Sequence, residues 1–341
     1  MSHSSVVPPR SRLVTRREAL RRGSLFLGGA ILGGALLPRL FAQPPAQDEP
    51  SYPSVDAPDH PIAKGRLSMA NGKISVTRVT ENHVMISGIG GNIGAFVGED
   101  SVLVVDCGSG LPPATEGLRK TLKELSDKPV RYVVNTHWHY DHTDGNANLR
   151  GLGATLVAHN AVRTRLSSAH AIPFFNATFS AAPREALPTI TFDHELELDL
   201  GSEQVRLVHV PLAHTDGDAY VLWPKSNVLQ TGDLLFSGSY PFIDGSCGGS
   251  LEGMIVAEEH LLTVVKPDTR IIPGHGPVST RADLIASLEM LRTVRDRIAK
   301  LRAAGKSAEQ AVAAKPLADL DAKWGQGFLN TDNFIRLVYS L

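Results

Sequence analysis

The sequence predicts an α/β (α+β) protein in which two β-sheets pack face to face and helices cover the outside. Three observations carry this. Short β-rich runs recur from residue 74 to residue 272 and are interleaved with segments of helical periodicity. The composition is that of an ordinary soluble globular chain, with 341 residues, 42% hydrophobic and 20% charged. It is too apolar for a disordered chain and long enough to bury a sizeable core. Finally, potential metal ligands fall just beyond the ends of predicted strands, in Gly-rich turns, where a sheet protein commonly builds its site.

In chain order, residues 1–42 read as an export leader. Arg16-Arg17 precedes an apolar, Gly-rich run at 25–37 that no acid interrupts. As a helix that run rises about 20 Å, short of the roughly 30 Å hydrocarbon core, so a cleaved signal is expected rather than an anchor. The paired arginines resemble a twin-arginine signal, which predicts a periplasmic protein with no stable membrane span after cleavage. An uncleaved tether is the alternative. Residues 43–65 hold six prolines and read as a flexible connecting segment.

The main domain is expected at 66–290. Strands are predicted at 74–79, 84–86, 93–97, 102–105, 130–134, 156–159, 196–200, 205–210, 219–223, 228–230 and 271–272. Helices are predicted at 115–125, from Ser250 to residue 265, and from Thr280, as cap, through 281–303. The two halves should divide near residue 180, and residues 291–341 form a C-terminal helical extension. Residues 1–42 carry seven Arg and one acid, which leaves 27 basic and 34 acidic side chains beyond them. That acidic balance excludes a nucleic-acid footprint. Two cysteines, Cys107 and Cys247, are too few for a disulfide scaffold or a thiolate zinc knuckle.

The chemistry lies in thirteen histidines. His137-Trp138-His139-Tyr140-Asp141-His142 follows the strand 130–134 directly. In extended chain His137 and His139 point the same way, and Asp141 and His142 come where the chain turns. Adjacent residues project differently, so the group suits two neighbouring ions rather than one. Without thiolates, imidazole and carboxylate favour zinc. Further ligands are available at His214, Asp233 and His275, each beyond a predicted strand, with Gly217, Gly232 and Gly274 close by. His83, His159 and His209 read as buried, His60, His194 and His260 as solvated, and His170 as a candidate for the substrate mouth. Cys107 reads as a core residue. Cys247, in the loop after Asp233, reads as a candidate to approach the site.

These residues resemble the metallo-β-lactamase-fold metallo-hydrolase superfamily. His137, His139, Asp141 and His142 match its H-x-H-x-D-H signature, and His214, Asp233 and His275 follow in family order. Val105-Asp106-Cys107-Gly108 looks like its strand-end D-x-G turn. The resemblance covers about residues 70–290 and implies a four-layer αββα sandwich with two Zn²⁺ per chain. By it, His137, His139 and His214 hold one ion, Asp141, His142 and His275 the other, and Asp233 bridges them.

It further implies a hydrolase that cleaves an acyl bond of a small molecule by metal-bound hydroxide, with Asp141, His214 and Asp233 in the catalytic set. No G-x-S-x-G elbow offers a covalent route. Asp233 looks like the thioesterase and lactonase members, so an ester, thioester or lactone is expected. The alternatives are a β-lactamase, favoured by the leader, and a non-catalytic periplasmic binding or relay protein. The leader makes the first prediction. Replacing Arg16 and Arg17 by Lys should leave precursor in the cytoplasm, as read by fractionation; normal periplasmic accumulation would argue against the twin-arginine route.

Overall fold

The computed structural model describes residues 52–341, and the leader lies outside the described residues. The chain runs α1 (Pro61–Ala70), β1 (Ser75–Arg78), β2 (His83–Ser87), β3 (Ile93–Val97), β4 (Val102–Val105), α2 (Ala114–Leu125) and β5 (Val130–Asn135). It continues through α3 (Tyr140–Thr143), α4 (Asn146–Arg150), β6 (Thr155–His159), α5 (Asn160–Leu166), β7 (His170–Ile172), β8 (Ala177–Phe179) and β9 (Ile190–Phe192). The second half holds β10 (Glu195–Asp199), β11 (Gln204–His209), β12 (Ala219–Trp223), β13 (Val228–Phe236), α6 (Leu251–Val264), β14 (Arg270–His275) and α7 (Arg281–Ala303). Three short helices follow, α8 (Ala308–Ala313), α9 (Asp321–Trp324) and α10 (Thr331–Ser340).

One sheet has the order β1-β2-β3-β4-β5-β6-β9, the other β10-β11-β12-β13-β14, and β7 and β8 form a separate hairpin. Strands β1 to β4 pair antiparallel, while β4, β5, β6 and β9 run parallel. In the second sheet the pairs are antiparallel up to β13, which pairs with β14 in parallel.

The layering follows from period-two alternation. On β4, Leu103 and Val105 face the core between the sheets, while Val102 and Val104 face a second core under α2. Val134 and Val157 repeat the inner choice, and Val133 and Leu156 the outer one. Strands buried on both faces are therefore apolar without a break. In α2, Leu118 and Leu122 stand one turn apart on the face that covers this sheet. The other sheet is covered by α6 and α7 and by α10, which contributes Phe334, Ile335, Leu337 and Val338 to one large core. The αββα sandwich expected from the sequence is the observed fold.

Several details differ from the sequence reading. The helix α1 begins inside the Pro-rich connecting segment, because Pro61 occupies its first turn and His60 caps it by accepting from Ile62 N. His60 is thus buried rather than solvated. The division between sheets falls after β9, since Ile190 to Phe192 pair with β6 and not with the second sheet. Strand β13 runs on to Phe236, and β14 to His275, so Asp233 and His275 sit inside strands rather than in turns beyond them. Helix α7 passes through residue 290 unbroken, with Leu284, Leu288, Leu291, Val294 and Ile298 in the large core. His209 is half-buried, stacked face to face on His159 at 3.7 Å. Among the described residues no helix is long and apolar enough to cross a membrane.

His83 sits in the inter-sheet core against Phe96 (4.7 Å) and edge-on to Trp223 (5.0 Å). Burial pushes its pKa down to about 4 from 6.5. The stability that this neutral ring supports is complete above pH 6.5 and is lost as pH falls toward 4. Between pH 7 and pH 5 that is about 2 kcal/mol. Urea unfolding of the wild type and of His83→Leu at both pH values should show the gap between them shrinking by that amount at the lower pH. A gap independent of pH would contradict the burial argument.

Candidate metal centre

The seven predicted residues meet where the strands end. His137 and His139 follow β5, Asp141 and His142 lie on α3, His214 is in the β11–β12 loop, Asp233 is on β13, and His275 closes β14. Ligand atoms of His137, His139, His214 and Asp233 all lie within 4.8 Å of one another, as do those of Asp141, His142 and His275. Asp233 joins the groups. Its Oδ2 is 3.4 Å from His214 Nε2 and 3.4 Å from His275 Nε2, and its Oδ1 is 3.1 Å from His142 Nε2.

The backbone must come unusually close here. Strand β13 carries register shifts around Gly232, whose φ of +52° and contact with Thr136 leave no room for a side chain. A Cβ on Gly274 would lie 2.0 Å from Asp233 Oδ1. The glycines beside Asp233 and His275 therefore set the approach of β13 to β14.

Four of the five imidazoles are oriented by a partner on the outer nitrogen. His214 Nδ1 donates to the Phe242 carbonyl at 2.7 Å. His139 Nε2 donates to Asp244 Oδ2 at 3.0 Å, and His142 Nδ1 to Asp106 Oδ2 at 2.8 Å. Thr136 Oγ1 gives its proton to Asp106 Oδ2 at 2.8 Å, so toward His137 Nδ1, 3.0 Å away, it can only accept. These partners fix the tautomers. The inner nitrogens, Nε2 of His137, His142 and His214 and Nδ1 of His139, are left with lone pairs that point at one another and at Asp233.

That arrangement tests the fit of a metal. His139 Nδ1 and His214 Nε2 stand 2.8 Å apart with no proton between them by this count. His137 Nε2 and Asp233 Oδ1 are buried without an aligned hydrogen bond. Acceptors gathered in a dry site need a cation. Nitrogen and carboxylate oxygen in this number suit zinc, and the two clusters suit two ions. When protons supply the charge instead, burial works against His142 and His275, but Asp233 and Asp141 outweigh it. His275 is then pushed up to about 9 and His142 well above its usual value. Burial holds His214 down at about 4. Protons and metal compete for the same lone pairs.

Three positioning carboxylates were not assigned from sequence. From the sequence Asp106 reads only as a turn residue. It is wholly buried at φ +62° and reaches both clusters, His142 directly and His137 through Thr136. Asp218 accepts from His214 N (2.7 Å) and Thr215 N (2.8 Å), and its place four residues beyond His214 is a local turn signal. Asp244 is 105 positions from His139, so nothing local announces their contact. His170 does not line the cleft beside the centre; its ring stands edge-on to Trp138 and its Nε2 is 3.1 Å from Ser246 Oγ. Cys247 is buried and bonds the Asp244 carbonyl, outside both clusters, and Cys107 is buried, its one S–H lying between the His142 carbonyl and Asn146 Oδ1.

A sequence model described as the metallo-beta-lactamase superfamily matches residues 87–301. Curated relatives include the probable hydroxyacylglutathione hydrolase glo2 of Schizosaccharomyces pombe, 25% identical over 186 residues, 52% of this chain and 61% of that one. The hydroxyacylglutathione hydrolase of Rhodospirillum rubrum is also 25% identical, over 182 residues, 52% of this chain and 62% of the relative. The match thus spans about three fifths of the length of these two proteins. Among solved structures, a metallo-beta-lactamase from Pontibacter korlensis superposes with a TM-score of 0.53 at 18% identity, covering 64% of this chain and 99% of that one. At that identity the likeness is one of fold.

The outer partners give a prediction that separates the two clusters. Asp244→Ala should weaken zinc binding at the cluster of His137, His139 and His214 by about 10–100-fold. Asp106→Ala should weaken both clusters. Competition with a graded series of chelators reads this out, and an Asp244→Ala protein with unaltered affinity would sink the tautomer argument.

Proposed function

This chain belongs to the metallo-beta-lactamase superfamily of hydrolases, and we propose that it is a two-zinc hydrolase that cleaves an acyl bond (ester, thioester or lactone) of a small molecule. The observation that carries this is the inward set of imidazole lone pairs around one buried carboxylate, Asp233. His137, His139 and His214 would hold one ion and Asp141, His142 and His275 the other, with Asp233 offering an oxygen to each. Such a pair, when bound, lowers the pKa of a shared water toward 7 and polarises a carbonyl. Relatives named as hydroxyacylglutathione hydrolases support an acyl substrate.

The chain's own residues supply orientation and exclusion of water. His137, His139, His142, His214 and Asp233 are buried, whereas the side chains of His275 and Asp141 are 31% and 13% exposed. Substrate therefore enters on the His275 and Asp141 side. Asp141 Oδ2 lies 3.3 Å from His275 Nε2, which leaves its other oxygen to accept a hydrogen bond from the attacking water. Asp233 ties the two halves together and fixes their separation. His214, held at both its backbone N and its Nδ1, presents Nε2 with little freedom. Neither cysteine is a nucleophile: burial pushes both thiols up, Cys107 well above its usual range.

β-Lactam opening is the second reading, favoured by the export leader. The leader, with Arg16 and Arg17, also supports a periplasmic location. The test is a panel of phenyl esters, thioesters, lactones and a β-lactam against zinc-loaded protein. Turnover should vanish on chelation, return with Zn²⁺, and rise with pH through about 7. Asp233→Ala should lose zinc and activity together. Full turnover by the chelated protein, or a trapped acyl-enzyme, would overturn the mechanism.

A further inference from the structure

A cleft of about 470 Å³ opens over the metal centre, with His139, Asp141, Asp233 and His275 at its floor. Its walls include Met69 of α1, Phe175 between β7 and β8, Phe236 at the end of β13, Phe242, and Phe328 from the C-terminal segment. Neither Lys nor Arg lines it. The aromatic rings form one run from floor to lip. Phe242 stands 5.7 Å from the His139 ring, Phe175 4.6 Å from Phe242, and Phe328 5.9 Å from Phe175.

Phe328 is 70% exposed, yet the segment carrying it is anchored. Trp324 and Leu329 on either side are buried, and Tyr240 N donates to the Trp324 carbonyl at 2.9 Å. Gly327 packs so tightly that a Cβ there would lie 2.4 Å from the Ser239 Cβ. The fold thus holds a large apolar ring at the mouth of an apolar cleft, where a bound group would cover it. A charged group lying along these walls would lose its water and meet no counter-charge.

Resting on the acyl-hydrolase reading, we propose that the cleft selects an uncharged acyl compound with an apolar ring or chain, and that Phe328 is a specificity-determining residue that closes over that part. The floor takes the reacting carbonyl, and the run of Phe242, Phe175 and Phe328 takes the acyl tail. On this assignment a substrate whose acyl tail ends in a carboxylate is a poor one.

The experiment uses zinc-loaded full chain and two esters with the same leaving group, phenyl 4-phenylbutanoate and monophenyl glutarate. The first should have at least a tenfold higher kcat/KM. Phe328→Ala should remove most of that preference by raising KM about tenfold rather than lowering kcat, and Phe328→Leu should restore part of it. Equal kcat/KM for the two esters, or an unchanged KM in Phe328→Ala, would overturn the proposal while leaving acyl hydrolysis intact. If neither ester turns over, calorimetry with the corresponding anilides decides. Phe328-dependent binding of the 4-phenylbutanoic anilide alone would uphold the cleft assignment although the acyl reading falls; no binding, or equal binding of both anilides, would overturn it.

Discussion

Everything at this centre depends on keeping one carboxylate ionised in the interior. Asp233 is only 5% exposed, and burial alone would favour its protonated form. When protons supply the charge, the imidazolium rings of His142 and His275 reverse that and hold it well below the usual carboxylate range. The rings of His137, His139, His142 and His214 are each held in one orientation from outside, by Thr136, Asp244, Asp106 and the Phe242 carbonyl in turn. The site is therefore two concentric shells. Removing a member of the outer shell turns a ring, and removing Asp233 leaves the inner shell without its shared charge.

The sandwich makes this possible because strand ends from both sheets open on the same edge. Strand β5 delivers His137 and His139 from one sheet, while β13 and β14 deliver Asp233 and His275 from the other. The apolar layer between the sheets fixes their separation, and close packing leaves little play in the ligand positions. Where regular geometry would hold the chains too far apart, glycine intervenes: Gly232 at its bulge and Gly274 against Asp233. The β7–β8 hairpin and the C-terminal segment, which carry none of these ligands or their outer partners, are then free to shape the cleft.

Much of this was legible in the sequence, and the exceptions have physical causes. The strands β3, β4 and β12 could be read to the residue because each is a short apolar run bounded by turn residues. The spacing of His137, His139, Asp141 and His142 is local, and His214, Asp233 and His275 each come just after an apolar β-rich run, the last two beside glycine. Strand β13 was read too short because Thr231-Gly232-Asp233 looks like a turn; only pairing with β14 carries the strand through it to Phe236. The helix α1 is hidden by a Pro-rich stretch whose last proline, Pro61, serves as its start. Asp244 was missed because it meets His139 only once the chain has folded. Phe328 carries no signal at all, since its place at the cleft depends on the packing of Trp324, Gly327 and Leu329.

The central claim is that the inner nitrogens, Nε2 of His137, His142 and His214 and Nδ1 of His139, hold two ions that share Asp233. A crystal structure of zinc-loaded protein, with anomalous data collected on both sides of the zinc edge, tests it most directly. The account predicts two peaks. One lies among His137 Nε2, His139 Nδ1 and His214 Nε2, the other among Asp141, His142 Nε2 and His275 Nε2, with an Asp233 oxygen on each. A single peak at full occupancy, or His139 bound through Nε2 with Asp244 displaced, would contradict it.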